Sequence, residues 1–294
     1  MRRLALAAAL LPLMTSGCLL NDWSEDALVE GALRYRIKTL RILGIRVDPP
    51  VLAPGVSVTL DALLVSPKGE AEAGTWRTCG LSSDEPAVIQ SLNCFESGQD
   101  VTELGSGSLP LSYSVPQLDV EVSCGPQGGD TGISVHECAH EVPLMLSSNF
   151  ADEDARAVSH VSWATEPWPS GQAMPESADS IGRSFYFTDV VKPGQEVEIQ
   201  YRLRGDVRGG LFRWYVDRGT LGETGLTVAQ SWTPPASAGQ KGVTTTFNTW
   251  TPPDDSSGQE LRIYVVWDGG AWAEASALAT APDMVWDLRT VTVQ

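Results

Sequence analysis

The strongest constraint on the fold of this chain is a pattern that is written twice. After a Pro54-Gly55 turn, Val56, Val58, Leu60, Ala62 and Leu64 take every second position; 139 residues after Val58, following Pro193-Gly194, Val197, Ile199, Tyr201 and Leu203 repeat the register. A period of two puts one face of a strand in a core and the other in water, here Glu198, Gln200, Arg202 and Arg204. The repetition implies two copies of one fold. Trp76 lies 22 residues after Pro54 and Trp214 lies 21 after Pro193, each in a short strand-like apolar run. Val115-Pro116 and Thr251-Pro252 each precede a further alternating strand, Leu118, Val120 and Val122 in the first half and Leu261, Ile263 and Val265 in the second. Both halves close on an apolar strand, Ala157 to Trp163 and Val285 to Val293.

Long helices do not suit a chain punctuated by 28 glycines and 19 prolines. Each half reads as about seven short strands with turn signals every 8 to 12 residues, which predicts an all-β protein of two tandem β-sandwiches. Leu40 and Ile42 alternate with Arg41, then Ile45 and Val47 alternate around Arg46, and the slip of phase near Gly44 predicts a β-bulge. The sandwiches are expected over residues 39–165 and 183–294. Between them Pro167, Pro169 and Pro175 mark 166–182 as a semi-rigid linker. Ahead of them, 18–38 form a tether. There Asp22 and Glu25 have capping-box spacing and Leu28, Ala32 and Tyr35 fall at helical intervals, while Gly31 interrupts them, so a short helix and a plain spacer both remain open.

Certain phrases carry a family resemblance: Arg46-Val47-Asp48-Pro49-Pro50 before Pro54-Gly55, Arg213-Trp214-Tyr215-Val216-Asp217, Trp250-Thr251-Pro252-Pro253, and Val265-Val266-Trp267-Asp268-Gly269. In these the chain resembles the bacterial immunoglobulin-like domains of two-domain outer-membrane lipoproteins of unknown function. The resemblance implies immunoglobulin-like sandwiches over nearly the whole mature chain, and its motifs name no activity.

The amino terminus fits that resemblance. Arg2 and Arg3 precede an apolar run from Leu4 to Leu13, and Thr15-Ser16-Gly17 lead to Cys18. Crossing a bilayer takes about 20 apolar residues, so 1–17 read as a cleavable secretory signal. With the cysteine after Gly17, the segment resembles a bacterial lipoprotein precursor. That resemblance implies that Cys18 becomes the first mature residue and carries acyl chains such as palmitate, several of which hold a protein to a membrane durably. Leu19, where aspartate would signal inner-membrane retention, implies the outer membrane, with the domains on its periplasmic or cell-surface side. The alternative is ordinary cleavage with a free thiol at Cys18.

The formal charge of −17 becomes −19 once Arg2 and Arg3 leave with the signal. Nucleic acid is thereby excluded as a partner, since phosphate backbones demand clustered Lys and Arg. Apart from Cys18, Cys79, Cys94, Cys124 and Cys138 form an even set suited to an oxidising compartment. Three connectivities are possible. Spacing favours Cys79 with Cys94 and Cys124 with Cys138, each closing a loop worth about 3 kcal/mol in the chain-entropy model.

One catalytic motif is present: His136-Glu137-Cys138-Ala139-His140 fits HExxH. On a helix the two imidazoles share a face and can hold zinc with Glu137 as general base; on a strand they lie about 13 Å apart, too far to share an ion. Gly128, Gly129 and Gly132 before the motif and Pro143 after it predict strand or loop, and no third ligand stands at metzincin spacing. Asp130-Thr131-Gly132 has no second copy to complete an aspartic-protease pair, and no GxSxG elbow, P-loop or GxGxxG occurs. Asp152-Glu153-Asp154 and Asp254-Asp255 read as solvated acidic turns rather than calcium loops. Of ten tryptophans, Trp214, Trp232, Trp250, Trp267, Trp272 and Trp286 fall in the second half; Trp232 and Trp272, beside proline or glycine, are the candidates for ligand contact. Arg202, Arg204, Arg208, Arg213 and Arg218 read as outward strand positions.

The expectation is therefore a non-enzymatic, lipid-anchored envelope protein without a cofactor, serving as a structural or interaction module for another envelope protein. A glycan-binding surface protein is the first alternative, and a zinc hydrolase using His136, Glu137 and His140 the second.

Overall fold

The two alternating runs, Val58 to Leu64 and Val197 to Leu203, lie on strands as their period implies. The computed structural model describes residues 35–69, 71–79, 93–98, 101–116, 139–164, 177–187, 189–205, 210–222, 226–228, 231–237, 239–268 and 284–294. In chain order the first half supplies β1 (Arg41–Asp48), β2 (Val51–Leu52), β3 (Ser57–Val65), β4 (Ala73–Cys79), β5 (Val101–Ser108), β6 (Leu111–Ser114), β7 (Ala139–Phe150) and β8 (Glu153–Ala164). The second supplies β9 (Gly182–Phe187), β10 (Val197–Arg204), β11 (Leu211–Val216), β12 (Thr220–Leu221), β13 (Leu226–Val228), β14 (Ser231–Thr233), β15 (Val243–Thr251), β16 (Glu260–Asp268) and β17 (Met284–Thr292). Besides strands there are a five-residue helix, α1 (Asn93–Ser97), and a 3-10 turn at Ala178–Ser180.

Four sheets result. β1-β3-β6 faces β2-β8-β7-β4-β5 in the first half; β9-β10-β15-β12, with β14 also on β15, faces β13-β11-β16-β17 in the second. In the second half β9, β10 and β15 share one sheet and β11, β16 and β17 the other, which is the partition of an immunoglobulin-like sandwich. The first half repeats this order and adds β2, which runs parallel to β8. The chain reaches β2 through Pro49-Pro50, where two residues without N–H donors end the pairing of β1 and let the backbone change sheets.

The repeat read from the sequence is structural: β3 and β10 hold the same place, as do β4 with Trp76 and β11 with Trp214. Leu118, Val120 and Val122 lie outside the described residues, and in the first half it is β7 that fills the place of β16. The predicted bulge is present as a register shift between Ile42 and Gly44 opposite β3.

Each half buries its own core. Leu52, Leu60, Trp76, Leu144, Leu146 and Trp163 are fully buried in the first. In the second, Tyr201, Phe212 and Trp214 meet edge to face with Phe185 alongside. The Trp214 indole donates to Thr227 Oγ1 at 2.8 Å, and that of Trp250 to the Arg218 carbonyl at 3.1 Å, whereas the indole N–H groups of Trp76 and Trp163 and the Tyr201 hydroxyl are buried without a hydrogen-bond partner, a cost that the packing of their rings must offset. At one margin of the first core, fully buried Cys79 at the end of β4 is bonded to Cys94 in α1.

The β7–β8 hairpin turns on two residues, Ala151 and Asp152, both left-handed at φ 53° and 65°. Such a turn matches the twist of the strands but suits Asn or Gly, and alanine there carries a steric cost. Ala151→Gly is expected to raise stability by about 1 kcal/mol in urea denaturation; an unchanged or lower midpoint would mean that the turn is unstrained.

Candidate functional site

β16 breaks the alternation of its neighbours. Ile263, Tyr264, Val265, Val266 and Trp267 are all buried, although a strand with one wet face should bury only every second one. Ile263, Val265 and Trp267 belong to the second core, while Tyr264 and Val266 point the other way, into a cluster with Ile37, Leu43 and Val65. Leu63, Tyr215, Met284 and Trp286 pack around it. The sheet of β1 and β3 thus lies against that of β11, β16 and β17, and the two sandwiches share an apolar joint. Burial is worth about 1.5–3 kcal/mol for a side chain of this size, so the joint is a substantial part of what holds residues 35–294 in one compact unit.

The joint has a charged rim that sets its geometry. Arg46, on the face of β1 turned towards the joint, is almost fully buried; its Nη2 donates to Asp61 Oδ2 at 2.8 Å, and its guanidinium lies 4.5 Å from the centre of the Trp286 ring. Its Nε and Nη1 have neither a hydrogen-bond partner nor solvent. A buried unpaired donor costs about 1–3 kcal/mol, which the face of the indole offsets in part. Gly44 makes the close approach possible: a Cβ there would stand 2.7 Å from Met284 Sδ and 3.3 Å from Trp286 Cε3.

Two chain segments are tied down beside the joint, one at this rim and one at its other end. From the predicted linker, Ser177 Oγ donates to Asp48 Oδ2 at 2.6 Å, while Asp179 stands 3.7 Å from Arg46 and 3.5 Å from Arg183. Arg183 also donates to the carbonyls of Trp286 and Ala178, at 3.0 and 3.1 Å. From the predicted tether, Tyr35 and Ile37 exchange backbone hydrogen bonds with Val216 at 2.9 and 3.0 Å, and Arg36 Nε donates to the Gly219 carbonyl at 2.7 Å. Arg41 lies 5.5 Å over the ring of Tyr215, whose phenol is pushed up by burial. These contacts hold residues 35–37 against β11 and set one sandwich upon the other.

The residues singled out from the sequence are dispersed. Cys18, Cys124, Cys138, His136, Glu137, Asp130, Arg208 and Trp272 lie outside the described residues. His140 is on β7, in extended backbone opposite Trp163. Among the described residues no three His, Cys, Asp or Glu side chains converge as a metal site. The acidic turns have local partners: Glu153 accepts from Lys68 Nζ at 2.8 Å and from the Leu40 N–H at 2.5 Å, Asp154 accepts from Asn149, and Asp255 pairs with Arg218 at 2.7 Å. Arg213 pairs with Asp268 at 2.8 Å. Trp232 is half-buried on β14 opposite buried Thr244, with its indole against Gly242, where a Cβ would come within 2.8 Å of Nε1. Sequence reasoning missed the joint, although the unbroken apolar run in β16 was its signal.

Two outcomes follow from this geometry. Gly44→Leu is expected to wedge the joint open while each core stays folded, turning one cooperative urea transition into two; a single transition at the original midpoint would show that the halves were never coupled there. The bonds from Lys68 and Leu40 hold the Glu153 carboxyl below its usual range. A depressed acid stabilises the fold fully above its unfolded pKa and loses that contribution as pH falls through the folded value. Glu153→Gln is therefore expected to destabilise at neutral pH and to converge with the parent in acid, read from midpoints across a pH series; a gap that is constant with pH would contradict the linkage.

The sequence matches no protein-family model and no curated protein. Among solved structures the chain is similar to a red sea bream transglutaminase, at 11% identity and a TM-score of 0.27, over 93% of this chain and 34% of that one. It is also similar to Rst D1-D2, at 10% identity and a TM-score of 0.23, over 87% of this chain and all of that one. The chain spans about a third of the transglutaminase, and at these scores neither likeness bears on function.

Proposed function

We propose that this chain is a lipid-anchored, non-catalytic component of the outer membrane, in which two immunoglobulin-like sandwiches form one rigid module for another envelope protein. The observation that carries this reading is the joint of Leu43, Val65, Tyr264, Val266 and Trp286 closed by Arg46. Domains joined by a linker move relative to one another by default, unless the surface between them is large and apolar. Here the contact is apolar and the linker end is pinned to it, so the module can present a partner with surfaces of fixed spacing. The clamp of Tyr35 and Ile37 on Val216 supports the same reading at the other end. Residues 35–37 are thereby part of the module itself.

The anchor is tested by mass spectrometry of the mature terminus and by fractionation of Cys18→Ala. Acyl chains on Cys18, and release of the variant from the membrane fraction, are expected; an unacylated terminus would refute the anchor. The interaction role is tested by photo-cross-linking in native membranes, with recovery of one envelope protein in defined yield expected. Recovery of nothing above background would remove the interaction role and leave the anchor standing.

A further inference from the structure

The sheet of β9, β10 and β15 lies on the side of the second sandwich away from the joint, and its outer face has an unusual composition for so acidic a chain. Along β10, Val197, Ile199, Tyr201 and Leu203 are buried, leaving Glu198, Gln200, Arg202 and Arg204 outward. Tyr186 and Phe247 stand on either side of Gln200 in one row across three strands, and half-buried Ser184 and buried Thr245 flank Arg202 in the next. Tyr186 is 47% exposed, among the most exposed large apolar side chains of the described residues, and β9 is the sheet's edge. The Arg202 guanidinium lies 4.6 Å from the centre of its ring. The phenol is held below its usual range by a hydrogen bond from Ser184 and by the charges of Arg202 and Arg204.

We propose that this face binds an anionic polysaccharide, with Tyr186 as the stacking ring and Arg202 and Arg204 as the groups that pair with its acidic substituents. Charge decides the sign of the ligand: on a protein of formal charge −17, two arginines at alternate positions on one strand make a local attraction for anions. Composition decides its class. A protein partner needs an apolar centre of several large side chains that it can desolvate, and this face offers one exposed ring and one half-buried one. What surrounds them is hydroxyl, amide and guanidinium, which suits sugar hydroxyls spread over a flat sheet. A ring with a cation already on one side presents the aromatic and ionic contacts together, as an acidic sugar requires. Glu198, farther along the same strand, repels anions and gives the bound chain a direction. The site is independent of the anchor and of the joint, so its failure would leave both readings intact.

The test is titration calorimetry on the full chain carrying Cys18→Ala, with polygalacturonate, dextran sulfate, neutral dextran and poly-glutamate as the four probes. Binding to polygalacturonate or dextran sulfate is expected, the stronger of the two identifying carboxylate or sulfate as the preferred anion. Neutral dextran and poly-glutamate are expected to bind at least tenfold more weakly. Tyr186→Ala and Arg202→Gln should each weaken binding at least tenfold, Tyr186→Phe by no more than about threefold, and Arg289→Ser, on the exposed part of β17, not at all. Melting curves identify any variant that fails to fold, and Tyr186→Phe keeps the ring should Tyr186→Ala be one of them. Three results would each overturn the proposal: no binding to either anionic polysaccharide, equal binding to poly-glutamate, or a loss with Arg289→Ser equal to that with Arg202→Gln.

Discussion

Trp286 is where the constraints on this molecule meet. Its ring covers Gly44, takes the buried charge of Arg46 on its face and rims the apolar cluster, while its carbonyl is held by Arg183. An apolar patch alone is nearly indifferent to a slide of one sheet across another, because the hydrophobic effect has no direction. A guanidinium held between a carboxylate and a ring is not indifferent. Removing Asp61 would leave the buried guanidinium with only the indole face and exposed Asp179 at 3.7 Å to offset its charge. The cluster therefore supplies the adhesion, and Arg46 with Asp61 and Trp286 supplies the register.

That division explains why the two halves, alike in topology, differ at their margins. The first half leaves the outer face of β1 and β3 apolar around a glycine bulge, and the second turns Tyr264 and Val266 outward to meet it. On the far side of the second half the corresponding surface, on β9, β10 and β15, carries hydroxyls, an amide and arginines instead. One fold, used twice, presents a sticky face inward and a polar one outward. The difference lies wholly in the residues at alternate positions.

Most of the architecture was legible because strand periodicity is a local property. Val58 to Leu64 and Val197 to Leu203 report their own faces without reference to what covers them, and Gly44 reported its bulge by breaking the phase. The joint was less legible for the same reason. Periodicity says that a face is apolar, not what it meets, and the run in β16 was as compatible with a deep core as with contact between sandwiches. Trp232 and Tyr186 show the limit for single aromatics. Trp232 was singled out from its proline-rich neighbourhood, yet its pairing on β14 turns it towards buried Thr244; Tyr186, in an ordinary apolar run, is the exposed ring.

What the sequence by itself determined is the class of structure: two copies of an alternating strand pattern, turns where proline and glycine stand, and a core of the residues on one face of each such strand. These follow from backbone sterics and side-chain solubility within a few residues of each position. Only the tertiary structure decided that Arg46 is buried, that Tyr35 to Ile37 pair with β11, and that the linker end and both sandwiches meet around one indole. Those outcomes depend on which surfaces meet across gaps of more than a hundred residues, and no local period encodes such a meeting.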